Sequence, residues 1–199
     1  RYMPIMRQRS EKIADKSADE KWHQWLLVIQ GKPVGIIGFL YNKKRNVGLL
    51  MDFAILPEWR KIQYKEYQGL AHLGLFLSME QLVKDAQAHG YSAPLCMAAE
   101  VEYESLVQKY FRYGFIEFPI YYYEPPYTLE LAEASDEKDD LDKIAFGRMR
   151  LGAFQIPGCV FEANDSNIIR TVLFALLVDH YCLPVDHWLS QKMFSEIPA

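Results

Sequence analysis

Residues 98–115 read AAEVEYESLVQKYFRYGF, and the fold turns on this stretch. The run Leu95–Val101 (LCMAAEV) has the texture of a strand, short and almost wholly apolar. From Tyr103 to Tyr113 the apolar residues Leu106, Val107 and Tyr110 recur at helical spacing, which predicts a short helix with those three inward. Gly114 stops it, and Phe115–Tyr123 (FIEFPIYYY) returns to strand texture. Eighteen residues therefore carry the chain out of one strand, through a helix and into another.

Upstream the pattern extends. His23–Gln30 (HQWLLVIQ) predicts a strand, Gly31-Lys32-Pro33 a turn, and Val34–Tyr41 (VGIIGFLY) its hairpin partner. Asn42–Asn46 (NKKRN) is a second, charged turn before Val47–Leu56 (VGLLMDFAIL). That third strand is apolar almost throughout, as suits burial on both faces, and Pro57 ends it because proline cannot donate to a ladder. Over Leu70–His89 the period lengthens: Leu75, Met79, Leu82, Val83 and Ala86 share a helical face, with Glu80, Lys84, Asp85 and Gln87 opposite. Gly90 stands where a helix end favours a left-handed residue. Ahead of all this, Ile5–Trp22 is polar with scattered apolar residues and predicts one helix with soft boundaries. Trp22–Tyr123 thus reads β-β-β-α-β-α-β. This is an α/β (α+β) architecture, a mixed and mostly antiparallel sheet flanked by helices.

Beyond Tyr123 the chain breaks at Glu124-Pro125-Pro126, and Ser135–Lys143 (SDEKDDLDK) reads as a solvated acidic loop. A further strand is expected within Ile144–Phe154. Asn167–Cys182 reads as a helix apolar nearly all round, N-capped by Asp165 or Ser166 and buried against the sheet or in a homodimer contact. The division that follows is a core over residues 1–126 and a C-terminal extension over 127–199 packed on the same domain. At 199 residues and 50% hydrophobic composition, one ordinary core is affordable and disorder is not the default. A net charge of −4 leaves no basic footprint for nucleic acid. The longest apolar run, Thr171–Val178, is far short of the roughly 20 residues that span a bilayer. Cys96, Cys159 and Cys182 have no ligand-like spacing and leave an odd thiol, which points to a reducing, cytoplasmic setting.

Three segments carry a resemblance to the GNAT superfamily of acyl-CoA N-acyltransferases, over roughly residues 23–123. Tyr110-Phe111-Arg112-Tyr113-Gly114-Phe115 resembles the family's Y-x-x-x-G-F ending, where its fifth strand has run into its fourth helix. Ala54-Ile55-Leu56-Pro57-Glu58 looks like its A-V-x-P-E strand ending, and Gln68-Gly69-Leu70-Ala71 looks like its pyrophosphate loop. Tyr103 and Leu106 depart from the family's Asn and small residue, and Glu66 stands where the loop usually has Gln or Arg. The family's first strand and helix find no room before residue 23 and are expected upstream of Arg1.

The resemblance implies acetyl-CoA as co-substrate, no metal, and a small amine or amino-acid-like acceptor. Backbone of Ala54, Ile55 and Leu56 would bind the pantetheine arm in a slot where the strands ending at Leu56 and Glu102 part. Gln68, Gly69, Leu70 and Ala71 would cradle the pyrophosphate at a helix N-terminus. Tyr110 falls at the position that protonates the leaving thiolate; a phenol near its ordinary pKa of about 10 is competent for that. For the general base, Glu102, Glu100 and Asp52 stay open, strand alternation sending the two glutamates to one face. The rival reading is a catalytically silent GNAT-fold binding or interaction module, which the departures at Tyr103 and in the loop favour. Asp179, His180, Cys182, Asp186 and His187 lie within nine residues but match no zinc spacing.

Overall fold

The computed structural model describes residues 19–61, 63, 69–125 and 148–198. The charged segment 135–143, the start of the predicted strand at 144–147, Glu66, Gln68 and almost all of the predicted N-terminal helix lie outside these residues. Seven strands and four α-helices occur among the described residues, in two compact units, Arg1–Met97 and Ala98–Ala199. The boundary drawn at 126/127 falls inside the second.

In the first unit, β1 (Glu20–Ile29), β2 (Lys32–Asn42) and β3 (Val47–Ile55) form an antiparallel meander. β1 starts three residues earlier than its texture predicts, so Trp22 belongs to a strand and is buried. The β1–β2 connection is a two-residue turn with both Gln30 (φ 49) and Gly31 (φ 76) left-handed, the geometry that matches strand twist. β3 carries a bulge, because Asp52 lies opposite Gly38 while Leu50 lies opposite Phe39, leaving Met51 unpaired and the strand kinked there.

Helix α1 (Leu70–Gln87) packs along β3 through two glycines. A Cβ on Gly48 would come within 2.3 Å of Leu82, and one on Gly74 within 3.3 Å of Phe53. The start of the helix therefore lies by the end of the strand and its end by the start. At that end Asp85 is 1% exposed, contrary to its place on the predicted polar face. Lys21 Nζ and His23 Nε2 each reach its carboxylate at 2.6 Å, and Gln81 donates to it at 3.0 Å. The His23 ring is itself stacked on Phe39 at 4.8 Å. Leading into β4 (Met97–Val101), Leu95 donates to Asn46 O (2.8 Å) and Cys96 O accepts from Gly48 (2.9 Å). The two chain segments therefore run side by side in the same direction.

In the second unit, α2 (Glu104–Tyr110) continues as a 3₁₀ turn over Phe111–Tyr113 and ends at Gly114, left-handed at φ 81. The expected strand 115–123 is interrupted by Pro119 into β5 (Phe115–Glu117) and β6 (Tyr122–Tyr123). β7 (Arg148–Phe154) lies between β4 and β5 and pairs antiparallel with both β5 and β6. The predicted helix 167–182 is α3 (Ser166–Leu173) followed by a π-helix over Phe174–His180. Asp165 caps it, its Oδ1 accepting from Asn167 (3.0 Å) and Ile168 (3.1 Å). α4 (Trp188–Ser195) closes the chain. No helix among the described residues is long and apolar enough to cross a membrane.

Candidate active site

The residues that resemblance links to a cofactor come together in the first unit. Val34, Ile55 and Leu70 form one buried cluster, with Phe53, Trp59 and Ala71 packed against it. The end of β3 and the start of α1 are thus in contact. Gly35 lies opposite Ile55, and Leu56 N–H donates to Val34 O at 2.9 Å. In that register the N–H and C=O of Ile55 point away from β2. The Ile55 carbonyl accepts from Arg60 Nε at 2.8 Å. Arg60, which the sequence did not single out, is thereby anchored as a cation at the strand end.

Gly69 precedes α1 at φ 115 and ψ 176, a conformation that is essentially glycine's alone. The first bond back into the helix is Leu73 N–H to Gly69 O at 3.2 Å. N–H groups ahead of Leu73 have no intrahelical carbonyl to bond, and they carry the positive end of the helix dipole. Glycine with an extended, positive-φ backbone beside such a helix start suits close approach by an anion. Gln68 lies outside the described residues.

The second unit holds the titratable candidates. Glu100 lies on β4 and is partly buried. Tyr122 from β6 donates to its Oε1, and Tyr181, the residue after the π-helix, donates to Oε2 at 2.8 Å. Burial pushes the Glu100 carboxyl up to about 7; the phenol hydrogen bonds of Tyr122 and Tyr181 oppose the rise, and the nearby Glu124 charge adds to it. A carboxyl in that range is divided between its two protonation states near neutrality, which is what a general base requires. Glu102 is placed differently. β4 ends at Val101, so strand alternation does not extend to it; Glu102 is exposed and accepts from Tyr103. Asp52, exposed on β3 opposite Gly38, belongs to the first unit.

Tyr110 is 7% exposed, its ring packed against Phe115 (5.8 Å between centroids) and Phe154 (5.2 Å). Burial pushes its phenol up to about 12, with Tyr113 adding to the rise. The ordinary phenol expected from sequence is therefore a weaker acid in the fold. It holds its proton at all physiological pH and gives it up less readily. No hydrogen bond joins Tyr110 to Glu100. Among the described residues no three His, Cys, Asp or Glu side chains gather where they could hold a metal ion.

Glu100, Tyr110 and Gly69 are the candidates that the sequence and its resemblance singled out. Tyr122 was visible only as part of the aromatic run 121–123, and Tyr181 carried no signal, since it meets Glu100 across 81 positions of sequence.

No protein-family model matches this chain, and no curated protein matches it. Among solved structures it is similar to a GNAT-family protein from Bacteroides thetaiotaomicron assigned as an acetyltransferase, at 18% identity and TM-score 0.48, over 87% of this chain and 80% of that one. It is also similar to a point mutant of the spermidine N-acetyltransferase of Vibrio cholerae, at 12% identity and TM-score 0.47, over 79% and 77% of the two chains. Likeness at this level decides nothing about the chemistry, which rests on the residues themselves.

Proposed function

We propose that this chain is an acetyl-CoA-dependent N-acetyltransferase of GNAT type, acting on a small amine or amino-acid-like acceptor by direct acyl transfer. The observation that carries the reading is the junction of β3 and α1. There the Ile55 backbone turned away from β2, the Arg60 cation, and the glycine-led helix start at Gly69-Leu70-Ala71 adjoin through one apolar cluster. An amide-rich arm ending in a pyrophosphate has a use for each: strand amides and carbonyls for the arm, helix N–H groups and a cation for the phosphates. Ala54, Ile55 and Leu56 would hold the arm, and Gly69, Leu70 and Ala71, with Gln68, the pyrophosphate.

For the proton transfers the candidates are Glu100 and Tyr110. Glu100 takes a proton from the ammonium form of the acceptor, freeing the lone pair that attacks the thioester carbonyl. Collapse of the tetrahedral intermediate breaks the C–S bond; the nitrogen gives up its second proton to solvent, and the thiolate leaves with a proton from Tyr110 or from solvent. Ile55 N–H is the backbone donor proposed for the oxyanion. The elevated Tyr110 phenol favours the second reading, a catalytically silent GNAT-fold binding or interaction module.

A thermal-shift titration with CoA and acetyl-CoA tests the cofactor, since a ligand at 100 times its dissociation constant stabilises by about 2.7 kcal/mol. Thiol release from acetyl-CoA, followed across a panel of primary amines and amino acids, tests the reaction. A rise in Tm of several degrees with amine-dependent thiol release is expected. Absence of any shift at millimolar CoA overturns the enzyme reading in favour of the silent module, and a shift without release leaves a CoA-binding relative.

A further inference from the structure

We propose that Tyr181, delivered by the C-terminal segment, is a positioning residue that with Tyr122 clamps the Glu100 carboxylate, one phenol on each oxygen. The extension beyond residue 147 is then part of the apparatus that prepares the base. This rests on the reading of Glu100 as the base.

The geometry of the clamp is specific. Tyr122 approaches Oε1 from β6 and is fully buried; Tyr181 approaches Oε2 at 2.8 Å from the opposite end of the sequence and is only partly buried. A carboxylate offers about four lone-pair directions, so two phenols orient it and still leave it able to accept a proton. The nature of the partners matters as much as their number. Lysine or arginine in place of the phenols would hold the carboxyl in its ordinary range or below and make it a poor base at neutral pH. Neutral hydroxyls fix the orientation without a full countercharge. The groups facing Glu100 are Tyr122 and Glu124 from β6 and its following residue, and Tyr181 from the C-terminal segment.

The backbone around Tyr181 is built to hold that one ring. Tyr181 N–H donates to Leu176 O at 2.8 Å, five residues back, closing the π-helix. A π turn admits an extra residue and so rotates everything after it relative to the preceding α-helix. Cys182 then adopts φ 59, a left-handed conformation that a residue with a Cβ rarely takes. Leu183 N–H bonds Leu177 O at 2.8 Å, and the Leu183 side chain is buried, pinning the chain just past the strained residue. The His180 ring stands edge-on to Tyr181, with centroids 5.0 Å apart and planes at 70°. A wide turn, a left-handed cysteine and an edge-on ring all converge on the direction of one phenol.

The test is a carboxyl ¹³C NMR titration of Glu100 in the full chain labelled at glutamate, comparing the native protein with Tyr181→Phe. Losing one hydrogen bond to the charged form should move the titration upward by about one pH unit, a tenfold gain in proton affinity. The acid limb of kcat/KM for thiol release, with the best amine of the panel, should move up in parallel while KM for acetyl-CoA stays unchanged. A merely structural tyrosine would leave the titration where it was, and an unmoved titration overturns the clamp. If the carboxyl moves but the acid limb does not follow, Glu100 is not the base and the proposal falls with that reading. If the carboxyl does not move but Glu100→Gln abolishes the limb, the clamp alone falls. Should Tyr181→Phe fail to fold, 3-fluorotyrosine at 181, a stronger donor, should move the titration downward; no movement there overturns the clamp equally.

Discussion

Two carboxylates withdrawn from solvent, one in each unit, are driven in opposite directions. Asp85 on α1 meets Lys21 and His23 at 2.6 Å each. Burial alone would raise its carboxyl, but the hydrogen bonds from His23 and Lys21 outweigh it and leave the group below its ordinary value. Glu100 on β4 meets two neutral phenols and the neighbouring charge of Glu124, and it rises to about 7. Burial pushes both groups the same way, so burial cannot explain the difference. The partners decide: the Lys21 ammonium and the His23 ring keep one acid ionised and tie strand to helix, whereas phenols leave the other trading a proton near neutral pH.

The consequences for stability have opposite signs. For Asp85 the folded pKa is depressed, so its contribution is present above the ordinary carboxylate range and is lost as pH falls through the folded value. For Glu100 the folded pKa is raised from 4.5 to about 7, so the native state holds a proton that the unfolded chain sheds. Stability contributed there is complete below about pH 4.5 and is lost as pH rises toward 7, by at most roughly 3 kcal/mol.

The comparison breaks most sharply at Glu100→Gln. Removing a general base should lower kcat/KM for thiol release by about 10²–10⁴-fold and erase the acid limb near pH 7. The same variant should gain stability over the native protein as pH is raised from 5 to 8, measured by urea unfolding at each pH. A substitution that leaves both profiles intact would mean that Glu100 is as structural as Asp85. Next in size, Asp85→Ala removes the carboxylate shared by the part-buried His23 and the exposed Lys21. It should cost about 2–3 kcal/mol in urea unfolding at pH 7 while leaving the apparent pKa of turnover unchanged. His23→Phe preserves the stack on Phe39 but removes one donor from Asp85. A loss of about 1–2 kcal/mol is expected, with acid unfolding beginning at higher pH than in the native chain. The smallest effect belongs to Tyr110→Phe. A phenol raised to about 12 is a reluctant acid, so turnover should fall on the order of tenfold, below the range usual for acid–base groups, with the CoA-induced rise in Tm unchanged. A larger loss would show that cofactor binding resets the phenol.

Local pattern carried the fold a long way. Alternation and helical spacing are properties of neighbouring residues, so the β-β-β-α-β-α order from the first hairpin to Gly114 could be read directly. So could a cap at Asp165 or Ser166, of which the fold uses Asp165, the left-handed glycine at 90 and the stop at Gly114. The reading failed where a distant partner changed a residue's circumstances. Asp85 sits by periodicity on the polar face of α1, yet is buried because Lys21 and His23 arrive from 64 and 62 positions away. Pro119 was in view, but only the pairing of β7 with both halves shows that it divides a strand in two rather than ending the sheet.

By itself, then, the amino-acid order determined where strands and helices form, which glycines turn the chain, and which positions can carry acid–base chemistry, because these depend on spacing along the chain and on side-chain type. Only the tertiary structure decided which carboxylate stays ionised and which is poised near neutrality. It also brought a tyrosine from 81 positions away onto the Glu100 carboxylate. Protonation is set by the charges and hydrogen bonds within a few ångströms, and those neighbours come from segments that sequence distance does not connect.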